Sequence, residues 1–237
     1  FVVEGPTLVQ AALDAGLELI EQFVCEGAQP CVSAGEVHFI SQNTLERVST
    51  TVTPQKVLAI FAMNAGDIST LQSISPEHSS QGEWILVADR VADPGNLGTM
   101  IRSAVAAGAS GIVVTPGTVD PYSPKVVRAA AGAIFSSSLF LSVSLEQLAD
   151  MKWPLLGTTS HEKLGPVAYD EVNLAQGVAL VMGNEASGLS PDLPISQWIT
   201  ISHQGPVESL NVAMATTVLC FEVARQRKHH SSRASDH

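Results

Sequence analysis

The stretch Trp84-Ile85-Leu86-Val87-Ala88 decides the fold class of this chain. It is a continuous apolar run, which is typical of a strand buried on both faces of a parallel sheet. A second run of the same kind is Val178-Ala179-Leu180-Val181-Met182, and shorter apolar runs alternate with helical patterns between the two. Strands that alternate with helices predict an α/β fold built on a parallel sheet.

Three polar segments stand out around these runs. They are Asp93-Pro94-Gly95-Asn96-Leu97-Gly98-Thr99-Met100-Ile101-Arg102, Val181-Met182-Gly183-Asn184-Glu185-Ala186-Ser187-Gly188-Leu189 and Val207-Glu208-Ser209-Leu210-Asn211-Val212-Ala213. Each follows a predicted strand, and open parallel sheets bind ligands beyond the carboxyl ends of their strands. The sequence therefore predicts that the three segments converge on one site. In the third, Ser209 is a natural N-cap for an apolar helix that runs to about Gln226.

The domain organisation follows from changes in composition. Residues 1–63 alternate short strands and helices and predict a small α/β unit. Residues 64–82 are polar and rich in turn-forming residues, which indicates a linker. Residues 83–230 form the larger α/β unit, and residues 231–237 are expected to be a disordered tail.

Composition narrows the classes of function. The net charge of −11 argues against a nucleic-acid binder unless a local basic face exists, which we expect. Three cysteines without a close pair argue against a disulfide framework or a zinc site, and the seven histidines lack metal-ligand spacing, so we expect no metal. No apolar run reaches membrane-spanning length, so we expect no membrane association. Because the first residue is Phe1, we expect the natural start to be missing, which leaves bacterial cytoplasm and mitochondrion unseparated.

Nucleotide-binding signatures are missing from the expected places. The chain has neither a Gly-x-Gly-x-x-Gly pattern after its first buried strand nor a Gly-Lys-Ser/Thr phosphate loop. Dinucleotide and ATP enzymes are therefore disfavoured. The loops at 157–160, 183–189 and 201–210 offer backbone amides, carbonyls and apolar walls, which suit a compact adenosine-like ligand.

Taken together in their order and spacing, the three segments resemble the motifs of the SpoU branch of the SPOUT RNA methyltransferases, over about residues 84–228. Residues 1–63, with the opening Val3-Glu4-Gly5, resemble the small ribosomal-protein-like RNA-binding domain of many members. The resemblance implies a deep trefoil knot, S-adenosylmethionine as cofactor and a homodimer. It implies methylation of a ribose 2′-hydroxyl, in large-subunit rRNA by preference and tRNA as the alternative. Without the resemblance, the pattern predicts an unknotted doubly wound sheet, because knots are almost absent from proteins.

The resemblance assigns catalytic roles to Asn96, Arg102, Glu185, Ser209 and Asn211. In the family, the arginine is proposed to activate the ribose hydroxyl with help from the RNA phosphate. A guanidinium is almost never deprotonated, so Arg102 would instead bind the phosphate and stabilise the developing alkoxide. Glu185 would fix Arg102 or Asn96, or assist proton removal. The plainer alternatives are two capped helices, an exposed arginine and a solvated acid.

The same resemblance places the cofactor and the RNA. The cofactor would contact Gly183, Ile201, Leu210, Thr158 and Met182, and the RNA would contact Lys125 and Arg128. The alternative for the two basic residues is ordinary surface charge on a helix. One departure is Ile201-Ser202-His203, where the family often has Ile-Pro-Met, so the wall beside the adenine is expected to differ.

Three functions therefore compete. The first is an RNA 2′-O-methyltransferase, and the second is a non-catalytic RNA-binding or ribosome-assembly protein on the same scaffold. The third is another nucleotide-ligand enzyme on an unknotted sheet. The presence of all five candidate catalytic residues favours the first, because a protein that only binds RNA does not need them.

Overall fold

A computed structural model of the chain describes residues 1–31, 35–51, 53–78, 82–202, 205–206 and 209–234, with side chains described as far as His229. The strands are β1 (Val2–Glu4), β2 (Leu19–Cys25), β3 (Glu36–Ile40), β4 (Val57–Phe61), β5 (Trp84–Ala88), β6 (Gly111–Val114), β7 (Leu139–Leu141), β8 (Leu155–Thr158), β9 (Val167–Ala168), β10 (Val178–Met182) and β11 (Gln197–Thr200). The helices are α1 (Pro6–Asp14), α2 (Gln42–Val48), α3 (Ile68–Ser73), α4 (Pro94–Ala106), α5 (Pro124–Ala129), α6 (Leu145–Asp150) and α7 (Val212–Ala234), with 3-10 turns at Ala133–Ser136 and Glu162–Leu164.

Two sheets divide the structure. The first has the order β1-β4-β2-β3, in which β4 runs antiparallel to both of its neighbours and β2 runs parallel to β3. The second has seven strands in the order β7-β6-β5-β10-β8-β11-β9, and every pairing in it is parallel. The mixed α/β class with a parallel sheet in the C-terminal part is therefore confirmed.

The second sheet is buried as its sequence predicts. All residues of β5 and β10 are buried, and the two strands pair in the centre of the sheet from Val178↔Trp84 to Met182↔Ala88. Their side chains alternate between two apolar clusters, one on each face of the sheet. Because both sets of alternating side chains are shielded from water, every position of these strands is apolar, which explains the continuous apolar runs.

Helix α4 crosses α5 at very short range. A methyl group added at Gly98 would lie 2.4 Å from Cβ of Ala129 and 2.8 Å from the backbone of Val126 and Ala130. Ser103 and Thr217 also form a hydrogen bond of 2.8 Å that joins α4 to α7. The helix that carries the first polar segment is thus fixed by packing on two sides.

An interface joins the two sheets, and the sequence did not predict it. The Glu4 side chain is 2% exposed and accepts hydrogen bonds of 2.6 Å from the hydroxyls of Ser49 and Thr51. Arg128 lies 3.6 Å from the same carboxylate and donates to Thr50 at 2.8 Å. Burial raises the pKa of Glu4, but the hydroxyl and amide donors and the arginine outweigh it, so the pKa is below its usual value. Four aromatic rings also cluster between the two units, since Phe1 lies 4.8–6.2 Å from Phe61, Tyr122 and Phe135.

Two predictions about segments need correction. Residues 64–82 are not only turns, because α3 lies there and its Leu71 is fully buried beneath the second sheet. Helix α7 continues to Ala234, past the predicted end near Gln226, so residues 231–234 of the predicted disordered tail are helical. No proline or glycine interrupts the chain there, and Arg, Gln and Lys favour a helix. Residues 235–237 lie outside the described part of the chain.

Helix length and polarity bear on the membrane question. Among the described residues, none of the helices combines the length and apolar character needed to span a bilayer.

The crossing of α4 and α5 predicts the cost of one methyl group. We expect Gly98→Ala to reduce the free energy of unfolding by about 1–3 kcal/mol, because the added carbon overlaps backbone atoms of α5. Urea denaturation followed by circular dichroism measures the change.

A matched control is Gly95→Ala in the same helix, where the added methyl would meet only a carboxylate oxygen of Asp93 at 3.0 Å. Its helix propensity gain of up to about 1 kcal/mol offsets that contact, so the stability should change little. Equal costs for the two variants would contradict the packing argument.

Candidate active site

The predicted convergence of the three polar segments occurs at the carboxyl edge of the second sheet. The first segment begins α4 after β5, the second follows β10, and the third ends in α7. Since β5 and β10 are neighbours and parallel, the loops that follow them emerge side by side.

A chain of hydrogen bonds connects the three segments. Asn211 Nδ2 donates to Asn96 Oδ1 at 3.0 Å, and Asn96 Nδ2 donates to Glu185 Oε1 at 3.0 Å. Asn96 and Glu185 are 89 positions apart in the sequence, and Asn96 and Asn211 are 115 positions apart. One side chain from each segment is therefore part of a single polar cluster, as predicted.

Glu185 is an acceptor in this cluster. Its carboxylate also accepts backbone N–H groups of Ala92 and Asp93, each at 3.1 Å. Burial raises the pKa of Glu185, but the hydrogen bonds from Asn96 and from backbone amides outweigh it and hold the pKa below its usual value. An ionised carboxylate with three donors is suited to positioning Asn96 and the start of α4, which is one of the two roles predicted for it.

Asn211, and not Ser209, caps α7. Asn211 Oδ1 accepts the backbone N–H groups of Ala213 at 2.9 Å and Met214 at 3.3 Å, and the helix begins at Val212. The predicted N-cap at Ser209 is therefore wrong, because Ser209 lies three residues before the helix and only Asn211 is adjacent to it. Val207, Glu208 and His203 lie outside the described residues.

The loop after β10 is fixed by its own backbone. A methyl group at Gly183 would lie 2.6 Å from the carbonyl carbon of Gly188 and 2.7 Å from the nitrogen of Leu189. Asn184 Oδ1 accepts from the backbone N–H groups of Ala186 and Ser187 at 3.0 Å, and its Nδ2 donates to the carbonyl of Arg90 at 2.8 Å. This role of Asn184 was not predicted. The preference of Asn for turns of this kind is the signal in the sequence that indicates it.

A cavity of about 790 Å³ lies against these loops. It is lined by nine of the predicted site residues, namely Asn96, Thr158, Met182, Gly183, Glu185, Ile201, Ser209, Leu210 and Asn211. The loop after β8 adds Thr159 and Ser160, which lie in the predicted ligand loop 157–160, and His161, which was not predicted. Apolar residues such as Ile199 and Leu189 complete the wall. The predicted cofactor residues thus lie together, although their roles remain predictions.

Three predicted residues lie outside this cavity. Arg102 is exposed on α4, and no hydrogen bond or ion pair connects it to another residue in the described ranges. It lies six positions after Asn96, which separates the two by about 120° around the helix axis. Lys125 is exposed at the start of α5. Arg128 is engaged with Glu4 and Thr50 at the interface between the sheets, a structural role that was not predicted.

The cavity fits the expected cofactor. Its volume is within the range of small-molecule sites, and apolar walls with a few convergent polar groups are typical of them. Glu185 supplies a negative charge beside a ligand whose sulfonium is positive. In the described part of the lining, the remaining titratable group is His161, which lies at the exposed mouth.

The Glu185 contacts predict a pH-dependent contribution to stability. Since its folded-state pKa is below the unfolded value, the contribution is present above the unfolded pKa of about 4.3 and is lost as the pH falls through the folded pKa. We expect Glu185→Gln to reduce the free energy of unfolding by about 1 kcal/mol at pH 7, because an amide cannot accept from all three donors. Urea denaturation at pH 7 and pH 3 tests this, and the difference between variant and wild type should shrink at the lower pH. An exposed acid, Glu162→Gln, is the control and should show no difference at either pH.

Comparison with known proteins agrees with this geometry. The SpoU rRNA Methylase family matches residues 83–221, and the MRM3-like substrate binding domain matches residues 1–59. An uncharacterized tRNA/rRNA methyltransferase of Synechocystis is 35% identical over 80% of this chain and 68% of its own length. The 23S rRNA (guanosine(2553)-2′-O)-methyltransferase RlmP of Bacillus subtilis is 28% identical over 94% of this chain and 88% of its own. The AdoMet-bound rRNA methyltransferase of Sinorhizobium meliloti is 32% identical with a TM-score of 0.82, over 95% of this chain and 87% of that one. The chain therefore belongs to the SpoU rRNA methylase family.

Proposed function

We propose that this protein is an S-adenosylmethionine-dependent RNA methyltransferase that acts on a ribose 2′-hydroxyl, with large-subunit rRNA as its preferred substrate. The observation that carries the proposal is the hydrogen-bonded Asn211–Asn96–Glu185 chain at the wall of a cofactor-sized cavity. The relatives named for rRNA 2′-O-methylation and the AdoMet-bound neighbour support it.

Methyl transfer from a sulfonium depends on alignment of the nucleophile, the carbon and the leaving sulfur more than on acid–base chemistry. Bound S-adenosylmethionine supplies the activated methyl group. The chain's own residues align the reactants: the loops that carry Gly183, Ile201 and Leu210 wall the cavity, and Thr158 and Met182 close it from the strand ends. The Asn96 and Asn211 amides are directed by Glu185, and Ser209 lies beside them at the same wall.

Arg102 is assigned to the RNA and not to the cofactor, because it lies outside the cavity. A guanidinium binds a phosphate through paired N–H donors and stabilises negative charge that develops nearby. The depressed pKa of Glu185 and its three donors support a positioning role for it over proton removal.

These assignments predict that a substitution at Arg102 affects methyl transfer but not cofactor binding. The wild-type protein should bind S-adenosylmethionine in isothermal titration calorimetry and methylate unmodified large-subunit rRNA. We expect Arg102→Ala to lose about 100-fold or more in methylation rate while its affinity for S-adenosylmethionine stays within about twofold. The control Lys152→Gly removes an exposed positive charge before β8, at the opposite edge of the sheet, and should keep full activity.

Two outcomes would contradict the function. A wild-type protein without S-adenosylmethionine binding would leave the non-catalytic scaffold as the better explanation. Full methylation by Arg102→Ala would remove that residue from the mechanism. Mapping the 2′-O-methyl marks that disappear in a deletion strain distinguishes rRNA from the alternative substrate, tRNA.

We assign residues 1–63 to substrate binding and residues 83–230 to catalysis. The match of residues 1–59 to a substrate binding domain supports the first assignment. This unit carries only two basic residues, Arg47 and Lys56, against seven acidic ones. Most phosphate contacts must therefore come from the catalytic unit, where Lys125 is exposed on α5, whereas Arg128 is held at the interface.

The deep trefoil knot is also part of the proposal. Strand β10 pairs between β5 and β8, so the chain returns to the middle of the sheet after it has built the loop that follows β8. It then ends in α7, which packs on α4 behind the site loops. These features and the family membership support the knot, and tracing this path in a crystal structure would test it.

We further propose a homodimer with α7 in its interface. Met214, Val218 and Phe221 recur at helical spacing on α7, and their exposed fractions are 65%, 38% and 51%. An apolar stripe of this kind on a surface helix indicates a protein partner. A second copy of the chain is the partner that the family implies. The bacterial relatives support a bacterial cytoplasmic setting, and the mitochondrion is the alternative because mitochondrial rRNA methyltransferases are also among the relatives. The proposal names no metal and no membrane.

The stripe predicts that one charge is enough to separate the copies. The wild-type protein should have about twice the chain mass of 24.9 kDa in light scattering, and Met214→Asp should shift it towards the monomer because a buried charge is costly. The matched control Met63→Asp changes an equally exposed methionine, 63% against 65%, and should remain dimeric. A monomeric wild type, or an unchanged Met214→Asp, would overturn the assignment.

A further inference from the structure

Arg90 is held in an unusual backbone conformation next to the site. It follows Asp89 directly after β5 and has φ of +53°, in the left-handed region that disfavours side chains with a Cβ atom. Two contacts fix this conformation: its N–H donates to Thr115 Oγ1 at 3.2 Å, and its carbonyl accepts from Asn184 Nδ2 at 2.8 Å. The second contact connects Arg90 to the loop that carries Glu185.

The Arg90 side chain is fixed at one end and open at the other. Its Nε donates to Asp89 Oδ2 at 3.0 Å, and the Asp89 side chain is only 7% exposed. The other oxygen of Asp89 accepts from the Thr115 hydroxyl at 2.9 Å. The Arg90 side chain itself is 46% exposed, and within the described ranges its guanidinium forms no other hydrogen bond. Its terminal N–H groups are therefore free to bind an external anion.

A second cavity borders the polar cluster. It has a volume of about 570 Å³ and is lined by Ala92, Asp93, Asn96, Asn184, Glu185, Ala186 and Asn211. It shares the Asn211–Asn96–Glu185 chain with the first cavity. Ala92 lies two residues after Arg90, and Asn184 is bonded to the Arg90 carbonyl, so the Arg90 backbone adjoins this cavity. The Arg90 side chain lies on the β6 side of the loop, where Nε is bound to Asp89 and Cγ would lie 3.4 Å from a methyl group added at Gly117.

The residue type itself needs an explanation. Glycine or asparagine would occupy the left-handed position at lower cost than arginine. The ion pair with the buried Asp89 carboxylate uses only Nε, so it does not account for the terminal nitrogens of the half-exposed guanidinium. A guanidinium whose Nε is already bound to a carboxylate presents a rigid pair of terminal donors, which matches the geometry of a phosphate.

We propose that Arg90, held by Asp89, binds a backbone phosphate of the RNA substrate at the carboxyl edge of the second sheet, beside the second cavity. The inference rests on the proposed function. Arg90 would add oriented N–H donors to the positive charge of Arg102 in a protein whose net charge is −11. The pair Asp89–Arg90 acts as a positioning unit, with the phosphate contact made by Arg90 alone.

The test compares Arg90 with Lys152, a second basic residue in the same backbone conformation. Lys152 has φ of +63°, is exposed, and lies at the opposite edge of the sheet before β8. Arg90→Gly and Lys152→Gly therefore remove the same charge and suit the same φ. The probe is a fluorescently labelled oligouridylate, and its affinity is measured by fluorescence anisotropy over a series of salt concentrations.

We expect Arg90→Gly to bind the oligouridylate about tenfold more weakly, and the slope of log K against log salt to fall by about 0.7, the value for one lost phosphate contact on a single strand. Lys152→Gly should retain the wild-type affinity and slope. Melting temperatures verify folding, and Arg90→Asn, which also tolerates the left-handed region, should repeat the result if the glycine variant is unstable.

The outcomes separate the two proposals. A wild type that methylates rRNA, combined with an Arg90→Gly variant of unchanged affinity and slope, would overturn the role of Arg90 alone. A wild type that neither binds S-adenosylmethionine nor shows salt-dependent RNA binding would overturn the proposed function and this inference with it. Equal losses in Arg90→Gly and Lys152→Gly would show only a net-charge effect and would also overturn the inference.

Discussion

The hydrogen bonds from Asn211 to Asn96 and from Asn96 to Glu185 are the constraint on which the site depends. They connect the start of α7, the start of α4 and the loop after β10, which are remote in sequence. Each amide both accepts and donates: Asn211 caps its helix through Oδ1 while its Nδ2 reaches Asn96. Because an amide cannot fill these roles in more than one orientation, the cluster fixes the relative position of all three loops.

Local chemistry made much of this arrangement predictable. The apolar runs of β5 and β10 indicate strands buried on both faces, and parallel strands must deliver their polar loops to one edge. What failed was the fine placement of the helix start. Ser209 and Asn211 are both good caps, and only the backbone path before Val212 selects between them.

The features that could not be predicted are those that depend on distant pairings. Nothing around Arg128 in the sequence indicates that it lies 3.6 Å from Glu4, more than a hundred residues away. Leu71 likewise looks like part of a polar linker until the second sheet is present to bury it. The left-handed conformation of Arg90 could not be predicted either. Glycine is the residue that usually indicates this conformation, and the sequence has an arginine there.

The contact between Glu4 and Arg128 limits how freely the front unit can be exchanged. A carboxylate that is 2% exposed needs its donors, and one of its partners belongs to the other sheet. Separation would remove Arg128 from this carboxylate and would uncover the ring of Phe1 together with those of Tyr122 and Phe135. A chimera that grafts a foreign front domain onto this catalytic part must therefore supply a carboxylate and an aromatic ring at the same seam. Recombination between relatives is restricted by that seam as much as by the chemistry of the site.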